Sequence, residues 1–582
     1  MRKQLEDLRE KMHEKNIDAY IIPTTDFHGS EYVNDYFKCR EFISGFTGSA
    51  GTLAVTADAA ALWTDGRYFL QAESQLKGSG IDLMKEGEPG VPEITEWLSQ
   101  NLCENGDAEA NRTVGFDGRI VSAKFGTHLK EKFQVAANLD LVGEVWDDRP
   151  KLTASEIYAI DREVTGESAA GKIARVREAM KKAGAEAHLI TSLEEIAWVF
   201  NLRGRDVLHT PVFYAFVLIC EDRTTVYLLN ESKEAKSLFD DDVEIKPYMD
   251  IFEDLGLLKY ESIMLDEKTA GFGLVRAIPD SVTKINGEDP AMLMKAIKNE
   301  KEIRSTKEAH LRDGVAVTKF IYKLKQKIGR EPLTEISAAD LLWEERRKQG
   351  AYDLSFETIA GYREHGAIIH YAATPETNAV LESRGFLLVD SGGQYDDGTT
   401  DITRTIALGE LTEEMKKCYT AVLKSHIALA TAEFNVETTG AELDEIARIP
   451  LRKVGLDYKH GTGHGVGHML SVHEGPNTIS PRGKNSHIVP GMITSNEPGV
   501  YLENQFGIRL ENEILCIECA GSRYAFETIT LCPFEREAVL PELLAEKEKA
   551  WLNAYHAQVY NALSPLLNDE ERKWLEAETA EL

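Results

Sequence analysis

The chain has 582 residues, of which 97 are acidic and 66 basic, so its formal net charge is −31. This acidity argues against nucleic acid or an anionic membrane as a partner, because either would select clustered lysine and arginine. No stretch approaches the roughly 18–20 uncharged apolar residues of a membrane-spanning helix. The charged N-terminus lacks the apolar segment of a signal peptide, and seven scattered cysteines suit a reducing compartment. We therefore expect a cytoplasmic protein of several domains.

An internal repeat occupies the first half of the chain. Residues 5–26 and 173–194 coincide at a constant offset, the identical pairs being Arg9/Arg177, Glu10/Glu178, Met12/Met180, Ala19/Ala187 and Ile22/Ile190. Each copy has the pattern of an amphipathic helix, a turn and an apolar strand. The motif FISGFTG at 42–48 is echoed in the same order by WVFNLRG at 198–204. The repeat predicts a duplicated α/β domain, with copies over 1–150 and 151–295.

The remainder, 296–582, is predicted to form a third domain. A long charged helix is expected over 291–328, leading into it. From Pro541 the chain has the pattern of two or three helices, with Trp551, Tyr555, Tyr560 and Leu563 as apolar anchors. We interpret this helical tail as a packing or assembly element.

The third domain carries acidic residues at the ends of predicted strands. An apolar run at 386–389 predicts a buried strand and ends in Asp390, and Asp401 opens the alternating strand DITRTIAL. Further on, Glu497 ends the strand in MITSNEPGVY. In the alternating stretch IRLENEILCI, Glu511 is expected on the same side as Arg509.

A histidine-rich and glycine-rich segment, HGTGHGVGHMLSVHEGP, lies between these acidic residues and contains His460, His464, His468 and His473. Its glycine density is poor helix material, and indicates a loop or strand whose backbone approaches another group closely. A phosphate-binding loop is disfavoured, because the segment follows no evident strand and opens no helix. We expect a turn at 474–476 after the last histidine.

The combination of four carboxylates and one imidazole predicts a metal site. These groups could not be buried together without compensating positive charge, which two divalent cations would supply. Oxygen ligands with one histidine suit Mn²⁺, Co²⁺, Fe²⁺ or Zn²⁺, and such a pair activates water for hydrolysis. Each residue alone is more often a cap, a turn or a core side chain. The pair Cys516 and Cys519 has redox spacing, but core cysteines within a strand are the better interpretation.

The ordered pattern D-x₁₀-D, HGTGH, EPG and GIRxE resembles the pita-bread metallopeptidases. PTTDFHGSEY, SGFTGSAG, WTDGRYFLQA, GAIIHYAATPETN, DGTTDITRT and VHEGP are similar to segments of the three-domain cytosolic Xaa-Pro aminopeptidases. The resemblance covers essentially the whole chain. It implies an α/β (α+β) fold, with two duplicated creatinase-like N-terminal α/β domains followed by a C-terminal pita-bread catalytic domain.

The resemblance also implies residue roles. It implies two metal ions per chain, typically Mn²⁺ with Co²⁺ or Zn²⁺ as alternatives, and the five ligands Asp390, Asp401, His464, Glu497 and Glu511. Asp401 and Glu511 would bridge the ions. The implied catalytic residues are His370, His473 and Glu497, with Glu497 as general base. The implied substrate-binding residues are Arg67, His370, His464 and His473; His460 would line the pocket, and His468 receives no role.

The activity implied is removal of the N-terminal residue from peptides with proline in second position, through attack of a metal-bridging hydroxide. Prolidase is the alternative within the enzyme class, since it shares the metal site but hydrolyses dipeptides. Methionine aminopeptidase is disfavoured because its fold does not need the long N-terminal region. A metal-free pita-bread module that binds peptides is a further alternative, disfavoured by the intact ligand set. The family suggests a homodimer formed through the catalytic domain.

Overall fold

The computed structural model describes residues 2–103 and 108–582. Its chain divides into two compact units, the first comprising Met1–Arg162 and Glu167–Met292, and the second comprising Glu163–Gly166 and Leu293–Leu582. The predicted domain limits at 150 and 295 stay predictions.

The first unit is built on two six-stranded sheets. Its strands are β1 (Ala19–Pro23), β2 (Thr52–Thr56), β3 (Ala60–Thr64), β4 (Asp82–Lys85), β5 (Thr113–Phe116), β6 (Gln134–Ala136), β7 (Tyr158–Ala159), β8 (Ala187–Ile190), β9 (Leu202–Arg203), β10 (Ala215–Cys220), β11 (Thr224–Leu228), β12 (Val243–Pro247), β13 (Ser262–Leu265) and β14 (Thr283–Asn286). Its helices are α1 (Lys3–Glu14), α2 (Cys39–Ser44), α3 (Phe69–Gln75), α4 (Ile94–Leu102), α5 (Ala123–Lys132), α6 (Leu141–Val145), α7 (Arg162–Thr165, at the limit of the unit), α8 (Ala169–Ala183), α9 (Leu193–Phe200), α10 (Lys233–Lys236), α11 (Ile251–Gly256) and α12 (Phe272–Ala277).

The two sheets have the same topology, which confirms the predicted duplication. The strand orders are β4-β3-β2-β1-β5-β6 and β12-β11-β10-β8-β13-β14. In each sheet the strand of the repeated motif pairs antiparallel on one side, with β2 or β10, and parallel on the other, with β5 or β13. The echoed second motif also agrees, because α2 and α9 both end in a left-handed residue, Gly45 and Asn201.

The second unit contains the elements that follow. Its helices are α13 (Pro290–Ala296, which begins at the limit of the unit), α14 (Glu300–Lys327), α15 (Glu335–Lys348), α16 (Glu413–Ala430), α17 (Gly440–Arg452), α18 (Glu546–Leu563) and α19 (Asp569–Glu578). Its strands are β15 (Asp353–Leu354), β16 (Ile359–Tyr362), β17 (Phe386–Ser391), β18 (Gly393–Tyr395), β19 (Gly398–Thr399), β20 (Ile402–Ala407), β21 (Gly463–Gly465), β22 (Glu474–Ile479), β23 (Ile493–Asn496), β24 (Gly499–Leu502), β25 (Phe506–Arg509), β26 (Asn512–Cys519) and β27 (Arg523–Thr528).

Two sheets of this unit carry the acidic residues. One has the order β16-β17-β20, and the other has the order β22-β21-β23-β26-β27. Strands β17 and β20 are buried along their whole length, as predicted for β17 from the apolar run at 386–389. The tail from 541 forms α18 and α19, and Leu552, Tyr555 and Leu563 of α18 join the core of the unit.

Three local predictions were wrong. The helix expected over 291–328 is interrupted, because Asn299 caps α14 in a capping box with Glu302. The stretch IRLENEILCI forms β25 and β26 rather than one strand, with Glu511 between them. Glu474 begins strand β22 instead of a turn.

Within the described residues, no helix combines the length and the apolar character required to cross a membrane. All seven cysteines lie in this part of the chain and are free thiols. Cys516 is buried and Cys519 partly exposed on the same strand, β26, which agrees with their interpretation as strand residues.

Candidate active site

Asp390 and Asp401 lie close together because their strands are neighbours. Asp390 is the fifth residue of β17, which pairs antiparallel with β20, and Asp401 directly precedes β20. Both are buried, at 8% and 3% exposure. The Oδ1 atoms of both carboxylates have no hydrogen-bond partner among the described residues. Buried carboxylate oxygens are rarely left unpaired, so this pair is suited to a cation.

The two glutamates come from the second sheet. Glu497 directly follows β23, and its backbone N–H donates to the Thr462 carbonyl at 2.9 Å. Glu511 lies between β25 and β26 and is 1% exposed. Its Oε2 accepts a hydrogen bond of 2.7 Å from the Thr403 hydroxyl on β20. Glu511 is therefore held against the strand that Asp401 opens.

His464 lies on β21 with one ring nitrogen directed to the carboxylates. Its Nδ1 is 3.0 Å from the Gly465 carbonyl oxygen, which can only accept, so Nδ1 carries the proton in this hydrogen bond. Nε2 lies 3.4 Å from Asp401 Oδ2 and 3.6 Å from Glu497 Oε1. A histidine whose Nδ1–H is held by a carbonyl presents Nε2 as a metal ligand.

The five predicted ligands thus lie in one cluster. Within this cluster two groups have ligand atoms that all lie within 4.8 Å of one another, namely Asp390, Asp401 and Glu511, and His464, Glu497 and Glu511. Glu511 belongs to both groups, which is the geometry that two neighbouring cations sharing a carboxylate require. The residues therefore fit a metal pair, although their role as ligands stays a prediction.

Burial and mutual repulsion raise the pKa values of three carboxyls of the cluster, those of Asp401, Glu497 and Glu511. Burial is the largest cause of the raised pKa of Asp401, followed by the charges of Asp390 and Glu497. The pKa of Glu511 is raised by burial and then by Asp401 and Asp390. Burial also raises the pKa of Glu497, against an opposing effect of His464. The cluster is a place where positive charge is strongly favoured.

His473 lies beside His464. The two imidazole rings are 4.3 Å apart between centroids and nearly perpendicular, at 82°. Asp401, His464 and His473 also form a group with ligand atoms within 4.8 Å. The distinction between His464 as ligand and His473 as hydrogen-bond donor therefore stays a prediction.

The other predicted residues have the following positions. His370 follows Ile369, whose carbonyl accepts a hydrogen bond of 3.3 Å from Arg509 beside the cluster. His460 is 9% exposed, and its Nε2 lies 2.8 Å from the Tyr501 hydroxyl. His468 is buried, with Nε2 2.9 Å from the Ser305 hydroxyl of α14. A packing contact of this kind agrees with the absence of an assigned role for His468.

Arg67 belongs to the first unit. Its guanidinium makes two hydrogen bonds to Asp65, at 2.9 and 2.8 Å, and a third to Glu31 at 3.3 Å. Its role toward the substrate stays a prediction.

The sequence reasoning missed a buried network centred on Arg509. The Arg509 side chain donates to Asp390 Oδ2 at 2.6 Å, to the Thr403 hydroxyl at 3.2 Å and to the Tyr501 hydroxyl at 2.8 Å. Burial lowers the pKa of Arg509, but Tyr501 and Asp390 outweigh that effect and raise it well above its usual value. Arg509 thus supplies one positive charge and orients Asp390. The sequence signal that could have indicated this network is the position of Arg509 within the GIRxE motif.

The glycines of HGTGHGVG allow close approach of the neighbouring backbone, as predicted. A Cβ at Gly463 would clash with the Ser495 carbonyl oxygen of β23, and a Cβ at Gly465 would clash with the Glu474 carbonyl oxygen of β22. Strand β21 therefore fits between β22 and β23 only because it lacks side chains at these positions. This packing places His464 beside Glu497.

Comparison with protein families matches four consecutive regions of the chain. Residues 4–150 and 148–302 each match a creatinase/prolidase N-terminal domain. Residues 304–518 match metallopeptidase family M24, and residues 522–582 match the C-terminal region of peptidase M24.

Individual proteins match over nearly the whole chain. Aminopeptidase P2 of Arabidopsis thaliana is 40% identical, over 96% of this chain and 85% of that protein. Xaa-Pro aminopeptidase 1 of Dictyostelium discoideum is 38% identical, over 98% of this chain and 95% of that protein. The crystal structure of X-prolyl aminopeptidase from Caenorhabditis elegans is described as that of a cytosolic enzyme with a di-nuclear active site. It is 32% identical, has a TM-score of 0.94, and covers 100% of this chain and 99% of that chain. An Xaa-Pro dipeptidase from Bacillus anthracis, 26% identical with a TM-score of 0.53, covers 64% of this chain.

Proposed function

The chain belongs to metallopeptidase family M24, and on this premise we propose that it is an Xaa-Pro aminopeptidase, which removes the first residue from peptides with proline second. The observation that carries the proposal is the convergence of five residues in one cluster, in which Asp390, Asp401 and Glu511 are buried and His464 and Glu497 are partly exposed. The full-length similarity to X-prolyl aminopeptidase supports this activity over that of a dipeptidase, whose similarity is limited to 64% of the chain.

These five residues are proposed to hold two divalent metal ions, with Mn²⁺ as the ion used and Co²⁺ or Zn²⁺ as alternatives. Two observations support this assignment. Among the residues that the structure describes, the Oδ1 atoms of Asp390 and Asp401 have no hydrogen-bond partner, and burial and the neighbouring carboxylates raise the pKa of Glu511. When bound, such a pair supplies Lewis-acid polarisation of the scissile carbonyl and lowers the pKa of water toward about 7.

The side chains around the cluster divide the remaining tasks. Glu497 takes the proton from the attacking water and returns it to the leaving proline nitrogen, since a carboxylate beside the nucleophile is placed to act as a general base. His473 and His370 bind the substrate and donate hydrogen bonds to the scissile carbonyl oxygen as negative charge develops there. His460, held by Tyr501, lines the pocket.

The substrate's second residue explains the need for a dedicated enzyme. An Xaa–Pro bond has no N–H, so a protease that binds its substrate as a β-strand loses a hydrogen bond there. We also propose a cytoplasmic location, supported by the description of the C. elegans relative as cytosolic, and a homodimer formed through the catalytic domain. Sedimentation velocity of the purified chain tests the dimer.

Substrate length tests the proposed activity most directly. The chain is first treated with EDTA and restored with Mn²⁺. Its kcat/KM for an Xaa-Pro-Yaa tripeptide is then expected to be at least about tenfold higher than for an Xaa-Pro dipeptide or a Met-Ala peptide. A tenfold preference corresponds to a difference in free energy of only about 1.4 kcal/mol. Preference for the dipeptide would indicate prolidase, and cleavage of Met-Ala alone would indicate a methionine aminopeptidase. Absence of both cleavage and metal would indicate a binding module.

Arg67 is proposed to bind the substrate without taking part in metal binding. Arg67→Ala is expected to lower kcat/KM for peptides longer than three residues by about tenfold to a hundredfold, the cost of one charged hydrogen bond. Two metal ions per chain should remain. Arg112→Ala is a matched control, because Arg112 is similarly exposed and pairs with Asp18 of the same sheet region. Loss of metal in Arg67→Ala would contradict the assignment.

A further inference from the structure

A buried ion-pair cluster lies directly beside His473. The Glu474 carboxylate is bound by the ammonium groups of Lys295 and Lys298, and the three side chains are only 3%, 1% and 1% exposed. Lys298 Nζ lies 2.9 Å from Oε1, and Lys295 pairs with Oε2. Burying such charges is costly unless they are paired. No step of the proposed reaction uses these charged groups. We therefore infer that they hold neighbouring residues in position.

The cluster holds Glu474 as a carboxylate. Burial raises the pKa of this carboxyl, but the two lysines outweigh burial, so the pKa of Glu474 lies below its usual value. Two charged hydrogen bonds from different directions fix both oxygens. The side chain of Glu474 therefore has one position.

The lysines themselves start from a fixed backbone. Lys295 is on α13, and Lys298 directly precedes Asn299, the capping residue of α14. The backbone N–H of Lys298 donates to the Gly491 carbonyl at 2.9 Å. The two ammonium groups thus reach Glu474 from the end of α13 and from the segment just before α14.

Glu474 in turn connects the two histidines of the cluster. It follows His473 in the chain and pairs with Gly465, which follows His464. Its carboxylate also lies against the backbone of Gly467, where a Cβ would be 2.8 Å from Oε2. A shift of the Glu474 backbone would therefore change the contact between the two imidazole rings, whose centroids are 4.3 Å apart.

We propose that Lys295 and Lys298 are positioning residues for His473, which they hold through Glu474 at the distance from His464 that the reaction needs. This inference rests on the proposed function, in which His473 donates a hydrogen bond to the scissile carbonyl. Such a donor must be held within about 0.5 Å of its productive position. A buried pair of lysines at the junction of α13 and α14 gives that accuracy, which a loop histidine alone lacks.

The test is a double-mutant cycle with the full chain, Mn²⁺ and an Xaa-Pro-Yaa tripeptide. Lys298→Met removes the charge but keeps the length of the side chain. It is expected to lower kcat by about tenfold to a hundredfold, the effect of a displaced catalytic group, with a smaller change in KM and two metal ions retained. Lys298→Arg, which keeps the charge, should recover part of this loss. In a His473→Ala background, Lys298→Met is expected to lower kcat by less than about threefold, since coupled residues are not additive.

Lys301→Met is the matched control, because Lys301 is a partly exposed lysine in the first turn of α14, just after Lys298 in the chain, and pairs with the exposed Glu163. The kcat of this variant should be unchanged. Equal losses from Lys298→Met in both backgrounds, or an unchanged kcat, would overturn the positioning role alone. A wild-type kcat in the His473→Ala variant would overturn the proposed role of His473 as a hydrogen-bond donor, and with it this proposal. If Lys298→Met does not fold, Glu474→Gln keeps the shape of the side chain and is subject to the same criteria.

Discussion

Asp401→Asn is expected to leave less than two metal ions per chain and almost no peptidase activity. Asp401 belongs to two of the groups whose ligand atoms lie within 4.8 Å, one with Asp390 and Glu511 and one with His464 and His473. An amide keeps the shape but removes the charge that binds both ions. Since a metal ion supplies several kcal/mol of charge stabilisation in such reactions, kcat should fall by about 10³-fold or more.

Metal analysis and thermal unfolding provide readouts that are independent of turnover. Mn²⁺ should raise the Tm of the EDTA-treated wild-type chain, because an ion that binds only the folded state stabilises it, and should raise that of Asp401→Asn much less. Asp396→Asn is the matched control, since Asp396 is an exposed aspartate in the turn between β18 and β19, just before Asp401 in the chain. EDTA should abolish wild-type activity, and Mn²⁺ or Co²⁺ should restore it. An active preparation with only trace metal would refute the two-metal site.

The acidic half of this site could be predicted from sequence because its signals are local. The apolar run before Asp390 predicts a buried strand whatever its neighbours are, and β17 is buried throughout. The duplication was also visible, because a repeated helix and strand pattern needs no knowledge of the third dimension. The interruption before α14 had a local signal as well, since Asn299 and Glu302 have capping-box spacing.

Features that depend on distant partners could not be predicted. The strand expected through Glu511 is broken because the Glu511 N–H donates to the Thr403 carbonyl and the Leu510 N–H to the Pro498 carbonyl. Alternation of apolar and polar residues does not show such a change of partner. The pairing of Lys298 with Glu474 joins residues 176 positions apart, and no pattern along the chain indicates it.

His473→Ala is expected to lower kcat by roughly 10²–10³-fold, the usual cost of losing one donor to a developing oxyanion. The physical reason is that the hydrogen bond strengthens as the carbonyl oxygen gains negative charge, so its loss raises the barrier more than it weakens substrate binding. KM should therefore change less than kcat. Steady-state kinetics on an Xaa-Pro-Yaa tripeptide, with metal content measured on the same samples, checks both expectations.

The contrast with His464→Ala decides between donor and ligand. The two rings are in contact at 4.3 Å, so general damage to this region would affect both variants alike. His464 presents Nε2 to Asp401 and Glu497 at 3.4 and 3.6 Å while a carbonyl holds its Nδ1. His464→Ala should therefore lose at least one metal ion, whereas His473→Ala keeps two, and His487→Ala, an exposed histidine nearby in sequence, should change neither quantity. Metal loss in His473→Ala would make His473 a ligand, and near-normal turnover would remove it from the reaction.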